Sequence, residues 1–237
     1  MVYEIEQDIY FLRQRVKKKD KKYFNYLFRA IALVDKKYIY YTVNNVDQKS
    51  QEAMCHLERV FAYELYRQWA NILSCECHDK YVLNAELDKI VKESIYYHNS
   101  KKKEAVIMFP DLVMHGGQGN TTRQKMICEI KRNKTGTDNN NISNQKIFAD
   151  LYKLTCYLDK TKFHDKFDYG VFILLNGCLS QISNMPNKTS VFRPERLSFG
   201  DFKEDFKEFF QSIVCVTYDG VTLQYDLLSE LLDKKTI

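Results

Sequence analysis

Proline is scarce in this chain, at three of 237 residues, and no internal repeat is visible. That pattern leaves no place for an interdomain linker. One domain is expected, with a basic helical N-terminal extension over about residues 1–46 and a C-terminal helix plus hairpin over about 200–237. Long apolar runs are missing too. Val171–Leu175, as long as any, is far too short to cross a bilayer, and the acidic start Met1-Val-Tyr-Glu4 has neither region of a signal peptide. A cytoplasmic protein with no membrane partner is the expectation. The seven cysteines, Cys55, Cys75, Cys77, Cys128, Cys156, Cys178 and Cys215, are odd in number and scattered, so reduced thiols are expected. Cys75-Glu-Cys77-His78 lacks the second pair that zinc or iron-sulfur spacing requires. Without a Walker A or G-x-G-x-x-G element, no nucleotide-driven motor is encoded.

What is present is a core-forming composition, 45% hydrophobic and 14% aromatic, with a net charge of +5. The excess of base suits a polyanionic partner without demanding one. Ile5, Ile9, Tyr10, Leu12 and Val16 approximate a helical stripe that the lysine run at 17–22 breaks, which reads as a basic arm. Lys37–Val43 is aromatic and β-branched and reads as a short strand. A helix follows from about residue 47 or 50 to Ser74, with Met54, Leu57, Phe61, Leu65, Trp69 and Leu73 in steps of three and four. Residues 80–91, Ala105–Met114 and Lys125–Ile130 are strand-like, and the last two are joined by the Gly-rich turn His115–Asn120. An amphipathic helix over Gln145–Leu158, a buried strand over Tyr169–Leu175, a helix near Phe202–Phe210 and a hairpin turned at Asp219-Gly220 complete the chain. The alternation argues for an α/β fold in which helices flank a mixed central β-sheet.

Within Met126–Arg132 the strand period of two puts Glu129 and Lys131 on one face, with Cys128 and Ile130 on the other. Asp111 follows Pro110 and the apolar run Val106–Phe109, and the hairpin can bring it beside Glu129. Two carboxylates at a strand mouth can hold a hard cation such as Mg²⁺, the remaining positions being filled by water, a carbonyl and a substrate phosphate. The bland alternative is a solvated strand face beside a turn. Against it, charges directly after Met-Ile-Cys are costly to bury unless they pair or bind metal.

Pro110-Asp111 and Glu129-Ile130-Lys131, on adjacent predicted strands between a Glu-bearing helix and a Gln-led helix, resemble the PD-(D/E)xK nuclease superfamily. The resemblance covers roughly residues 50–175, and it implies a restriction-endonuclease-like core and a Mg²⁺-dependent phosphodiesterase in which Mn²⁺ substitutes. It gives Asp111, Glu129 and the Ile130 carbonyl as metal ligands and Lys131 as the group that positions or helps deprotonate water. Glu64 stands for the helical acid that reaches a second ion or its water, with Glu58 competing. Gln145, Arg132, Lys134 and Lys125 are the substrate-binding candidates. His115 and Glu86 are weaker ones, and Lys101–Lys103 and the lysines of 17–22 could follow a phosphate backbone.

The polymer implied is DNA ahead of RNA, with a catalytically silent nucleic-acid-binding module as the third reading. Defence against foreign DNA follows only by analogy. A nuclease of this size has to be restrained by specificity, by a trigger, or by pairing with a second copy or a partner protein.

Overall fold

The computed structural model of the chain describes residues 16–40, 51–76, 81–85, 110–116, 124–133, 142–159, 166–191 and 197–233. The first half contains α1 (Lys21–Leu33), α2 (Lys37–Tyr40), α3 (Gln51–Glu76), β1 (Val82–Ala85), β2 (Leu112–His115), β3 (Gln124–Arg132) and α4 (Asn144–Leu158). The second half contains β4 (Tyr169–Leu175), α5 (Ser180–Ser183), β5 (Ser190–Val191), β6 (Leu197–Ser198), α6 (Phe199–Asp205), β7 (Ile213–Tyr218), β8 (Leu223–Leu227) and α7 (Leu228–Asp233), with a 3-10 turn at Lys207–Ser212 before β7.

Six strands form one mixed sheet in the order β1-β2-β3-β4-β7-β8. The antiparallel pairs lie at the two sides, β1 with β2, β2 with β3, and β7 with β8. The centre, β3-β4-β7, is parallel. Parallel neighbours need long crossovers, and helices supply them here: α4 connects β3 to β4, and the segment from α5 through the 3-10 turn connects β4 to β7. Every residue of β4 is buried, as expected of a central parallel strand covered on both faces.

Two apolar layers cover the sheet. Phe24, Leu27, Phe28 and Ile31 of α1 join Phe61, Leu65 and Trp69 of α3 over Met126, Cys128 and Ile130. On the opposite face Ile147, Phe148, Leu151 and Leu154 of α4 pack with Val113, Ile127, Phe172 and Leu174. The α4 stripe is the one the sequence pattern predicts, and the helix is capped by Ser143, whose side chain accepts from the Lys146 N–H. Between β7 and β8, Gly220 takes φ +85°, which a side chain disfavours, and an added Cβ would come within 2.9 Å of Lys36.

The N-terminal expectations change. Tyr23, Phe24, Tyr26, Leu27, Phe28, Ala30 and Ile31 are all buried in α1, so this segment is helical as expected but forms a core layer, not a basic arm. Lys37–Tyr40, read as the start of a strand, is a helical turn, begun by the Asp35 carboxylate accepting from the Lys37 N–H at 2.9 Å. The stripe from Ile5 to Leu12, the run Ala105–Phe109 and the turn at 117–123 lie outside the described residues. Among the described residues no helix is long and apolar enough to cross a membrane. None of the five described cysteines, Cys75, Cys128, Cys156, Cys178 and Cys215, forms a disulfide, while Cys77 and His78 lie outside the described residues.

Candidate functional site

The site is built at the C-terminal end of β3. Alternation along the strand sends Ile127 into the α4 layer, and Glu129 and Lys131 continue that face. Asp111 precedes β2 and extends its pairing by one step: its N–H donates to Cys128 O at 3.1 Å, and its Oδ2 accepts from the Ile130 N–H at 2.6 Å. Pro110, buried just before it, has no N–H to offer the ladder. Asp111 is therefore fixed beside the Glu129-Ile130-Lys131 tripeptide. In a strand the N–H and C=O of one residue point to the same side, so the Ile130 carbonyl is directed toward Asp111 as well.

Helix α4 adds two charges. Lys153 Nζ donates to Glu129 Oε2 at 2.7 Å, and Asp150 Oδ2 lies 3.1 Å from Lys131 Nζ. Asp150 and Lys153, three residues apart on the helix, each face an opposite charge on β3, forming a two-by-two arrangement between strand and helix. Helix α3 supplies Glu58 from the other layer: Oε2 lies 3.7 Å from Lys131 Nζ, and Oε1 accepts from the Arg132 N–H at 3.2 Å. Four carboxylates and two ammonium groups thus meet, leaving two negative charges in excess when all are ionised.

The electrostatics follow from burial. Glu129 is 1% exposed, and its carboxyl is pushed well above the usual range by burial, with Lys153 opposing and Asp111 and Asp150 adding to the rise. Burial also raises Asp111, against the pull of Lys131 and the Ile130 N–H. Glu58 is raised by burial too, with Lys131 opposing and Asp111 adding to the rise. For Lys131 burial favours the neutral amine, but Asp150, Glu58, Glu129 and Asp111 outweigh it and hold the ammonium above its ordinary value. Lys131 is therefore held as an ammonium in the metal-free protein.

Several sequence-predicted residues sit elsewhere. Glu64 is bound by Arg67 at 2.6 and 2.9 Å and by Gln68 at 2.8 Å, and the hydrogen bond from Arg67 holds its carboxyl below the usual range. The helical acid at the site is Glu58. Six residues part the two, about 9 Å of helix, and it is the Glu58 level of α3 that meets the end of β3.

Lys125, expected to bind substrate, is 4% exposed at the opposite end of β3. It donates to Asp20 Oδ1 at 2.9 Å and Asp168 Oδ2 at 2.6 Å, with the rings of Tyr23, Tyr81 and Tyr169 at 5.7, 5.7 and 6.0 Å. It is a structural cation. Arg132 is buried, which removes it from the substrate surface, and Gln145 is exposed in the first turn of α4. His115 is buried at the far end of β2, its Nε2 2.8 Å from Asn84 Nδ2. Lys134, Glu86 and Lys101–Lys103 lie outside the described residues.

Among the described residues no group of three or more His, Cys, Asp or Glu side chains is arranged to hold a metal ion. Mg²⁺ asks for less, being held through one or two carboxylates with water and phosphate oxygens completing the shell. One observation fits that demand. Glu129 Oε1 is sequestered and takes no hydrogen bond among the described residues, so a buried carboxyl oxygen lacks the partner that burial normally requires. Asp111, Glu129 Oε1 and the Ile130 carbonyl are the groups suited to such an ion.

Sequence reasoning missed Asp150 and Lys153 as site residues and ranked Glu58 below Glu64. A signal existed: Asp150 lies between Phe148 and Leu151 on the apolar flank of α4, where an acid is buried unless it has a partner. Comparison with family models, with curated proteins and with solved structures finds no match to this chain.

Proposed function

We propose that this chain is a metal-dependent nuclease of the PD-(D/E)xK, restriction-endonuclease-like type, hydrolysing phosphodiester bonds in DNA ahead of RNA. What carries the reading is the convergence of Asp111, Glu129 and Lys131 at the end of β3, with Glu129 Oε1 buried and without a hydrogen bond. With all four carboxylates ionised, the excess of two negative charges around that oxygen matches one divalent cation, Mg²⁺ or Mn²⁺. When bound, the ion supplies Lewis acidity toward phosphate and lowers the pKa of a coordinated water.

Asp111, Glu129 and the Ile130 carbonyl hold the ion in this reading. Lys131 acts as a fixed positive charge that stabilises the negative charge gathering on phosphate, and Asp150 and Glu58 keep it charged and oriented. Glu58 also anchors the strand end through the Arg132 N–H, so α3 and α4 grip the tripeptide from both sides of the sheet. Gln145 remains the described candidate for touching substrate.

A second reading has its own observation. Each lysine of the cluster already bridges to a carboxylate, an arrangement that a silent nucleic-acid-binding module could keep for stability alone. Incubation with duplex DNA, single-stranded DNA and RNA, with Mg²⁺ or with a chelator, separates the two. The nuclease reading expects metal-dependent cleavage of at least one polymer that Asp111→Asn abolishes. Binding without cleavage, in Mg²⁺ and Mn²⁺ alike, would establish the silent module.

A further inference from the structure

We propose that Lys153 sets the metal preference of the candidate site by occupying one oxygen of Glu129 and leaving the other to the ion. The inference rests on the nuclease reading and concerns a residue with no role in the Asp-Glu-Lys signature. Lys153 sits on the body of α4, with Asp150 one turn earlier, so its ammonium reaches the carboxylate from a rigid support. Its 2.7 Å contact commits Oε2, while Oε1 is sequestered beside it without a hydrogen bond. Asp111 is committed in the same way, its Oδ2 taken by the Ile130 N–H.

A carboxylate with one oxygen held by an ammonium can offer an ion only the other. Single-oxygen ligation suits Mg²⁺, which is small and octahedral and retains water. Ca²⁺ takes six to eight oxygens and gains from a carboxylate that binds through both. The positive charge of Lys153 opposes both dications alike, so the ratio of their affinities isolates the geometric effect from the electrostatic one. Lys153 is thus a positioning residue, and metal selectivity is its readout.

Calorimetric titration of Mg²⁺ and Ca²⁺ into wild type, Lys153→Met and Lys153→Arg tests this without reference to cleavage, with circular dichroism reporting the fold. Wild type is expected to prefer Mg²⁺, and Lys153→Met to move the affinity ratio toward Ca²⁺ by about tenfold, the lower end of what losing an outer contact costs a metal site. Lys153→Arg, which keeps a donor on Oε2, retains the wild-type ratio. Lys153→Ala gives the same readout if the methionine variant does not fold. An unchanged ratio in Lys153→Met, or a wild type that prefers Ca²⁺, overturns the proposal while leaving the metal site standing. Absence of any divalent-ion binding by wild type overturns the nuclease reading and this inference with it.

Discussion

Lys125→Met removes a buried charge at the end of β3 remote from the candidate site, and its cost can be worked from the surroundings. Methionine nearly matches the stem of lysine, so packing is kept and the loss is electrostatic. Asp20, 2% exposed, is left without its ammonium partner. The Asp168 carboxylate is 37% exposed, so solvent screens that pair and limits its share to about 1 kcal/mol. The three tyrosine rings add cation–π attraction of about 0.5–2 kcal/mol each.

Stranding a buried ion pair partner typically costs about 3–5 kcal/mol, which is the expected loss. For a chain of this size, that lowers Tm by roughly 6–20 °C. Urea and thermal unfolding measure it, and the m-value should not change. Lys125→Met with Asp20→Asn removes the stranded charge and should recover about half of the loss or more. Lys131 lies six residues further along the strand, about 20 Å away, so Mg²⁺ binding should match wild type in the single variant. A loss below about 1 kcal/mol, or a double variant no more stable than the single one, would refute the assignment of Lys125 as a buried structural cation.

Lys131→Ala should lower cleavage by about 100-fold or more while Mg²⁺ affinity holds or rises, because a positive charge beside the ion is gone; calorimetry beside a nuclease assay checks both halves, and full activity would remove the lysine from the mechanism. Glu58→Gln should impair cleavage, whereas Glu64→Gln should leave it within about twofold, since Glu64 serves Arg67 and Gln68 away from the site. Equal effects of the two substitutions would contradict the assignment of Glu58 as the helical acid. Glu129 is raised in the folded state, so its contribution to metal-free stability is present below the ordinary carboxylate pKa, about 4, and is lost as pH rises through the raised value. Because the ion needs the ionised carboxylate, the Tm gain from Mg²⁺ should grow over that same window, and Glu129→Gln should flatten it.

The fold was legible where a period runs long enough to be counted. The α4 stripe of Ile147, Phe148, Leu151, Leu154 and Leu158 and the strand Tyr169–Leu175 lie where the pattern puts them. The helical character of α1 was legible, but its place in the core was obscured because the lysine run at 17–22 interrupts the apolar pattern just before Tyr23, and a window centred on that run reports a basic arm. Lys37–Tyr40 has strand-like side chains, but the Asp35 carboxylate meets the Lys37 N–H and starts a helical turn, a local bond that outweighs propensity. In the site, strand alternation predicted the shared face of Glu129 and Lys131. The choice between Glu58 and Glu64 depends on how far α3 slides along β3, and the pairing of Asp150 and Lys153 depends on the seating of α4. Both are tertiary registers that no local spacing encodes.

The tie between Asp20 and Tyr169 spans 149 residues, and that between Asp20 and Lys125 spans 105. During synthesis at about 5–20 residues per second, roughly 7–30 s pass between the emergence of Asp20 and that of Tyr169. Helix α1 meets α3 much sooner, within a few tens of residues, so the two can pair while the sheet is still being made. Their sheet-facing side, lined by Phe24, Phe61 and Trp69, nevertheless stays uncovered until β3 and β4 arrive. The nascent chain therefore carries an adhesive aromatic surface while the residues between Trp69 and Tyr169 are made, and yield on expression should depend on chaperone supply more than the finished protein's stability suggests.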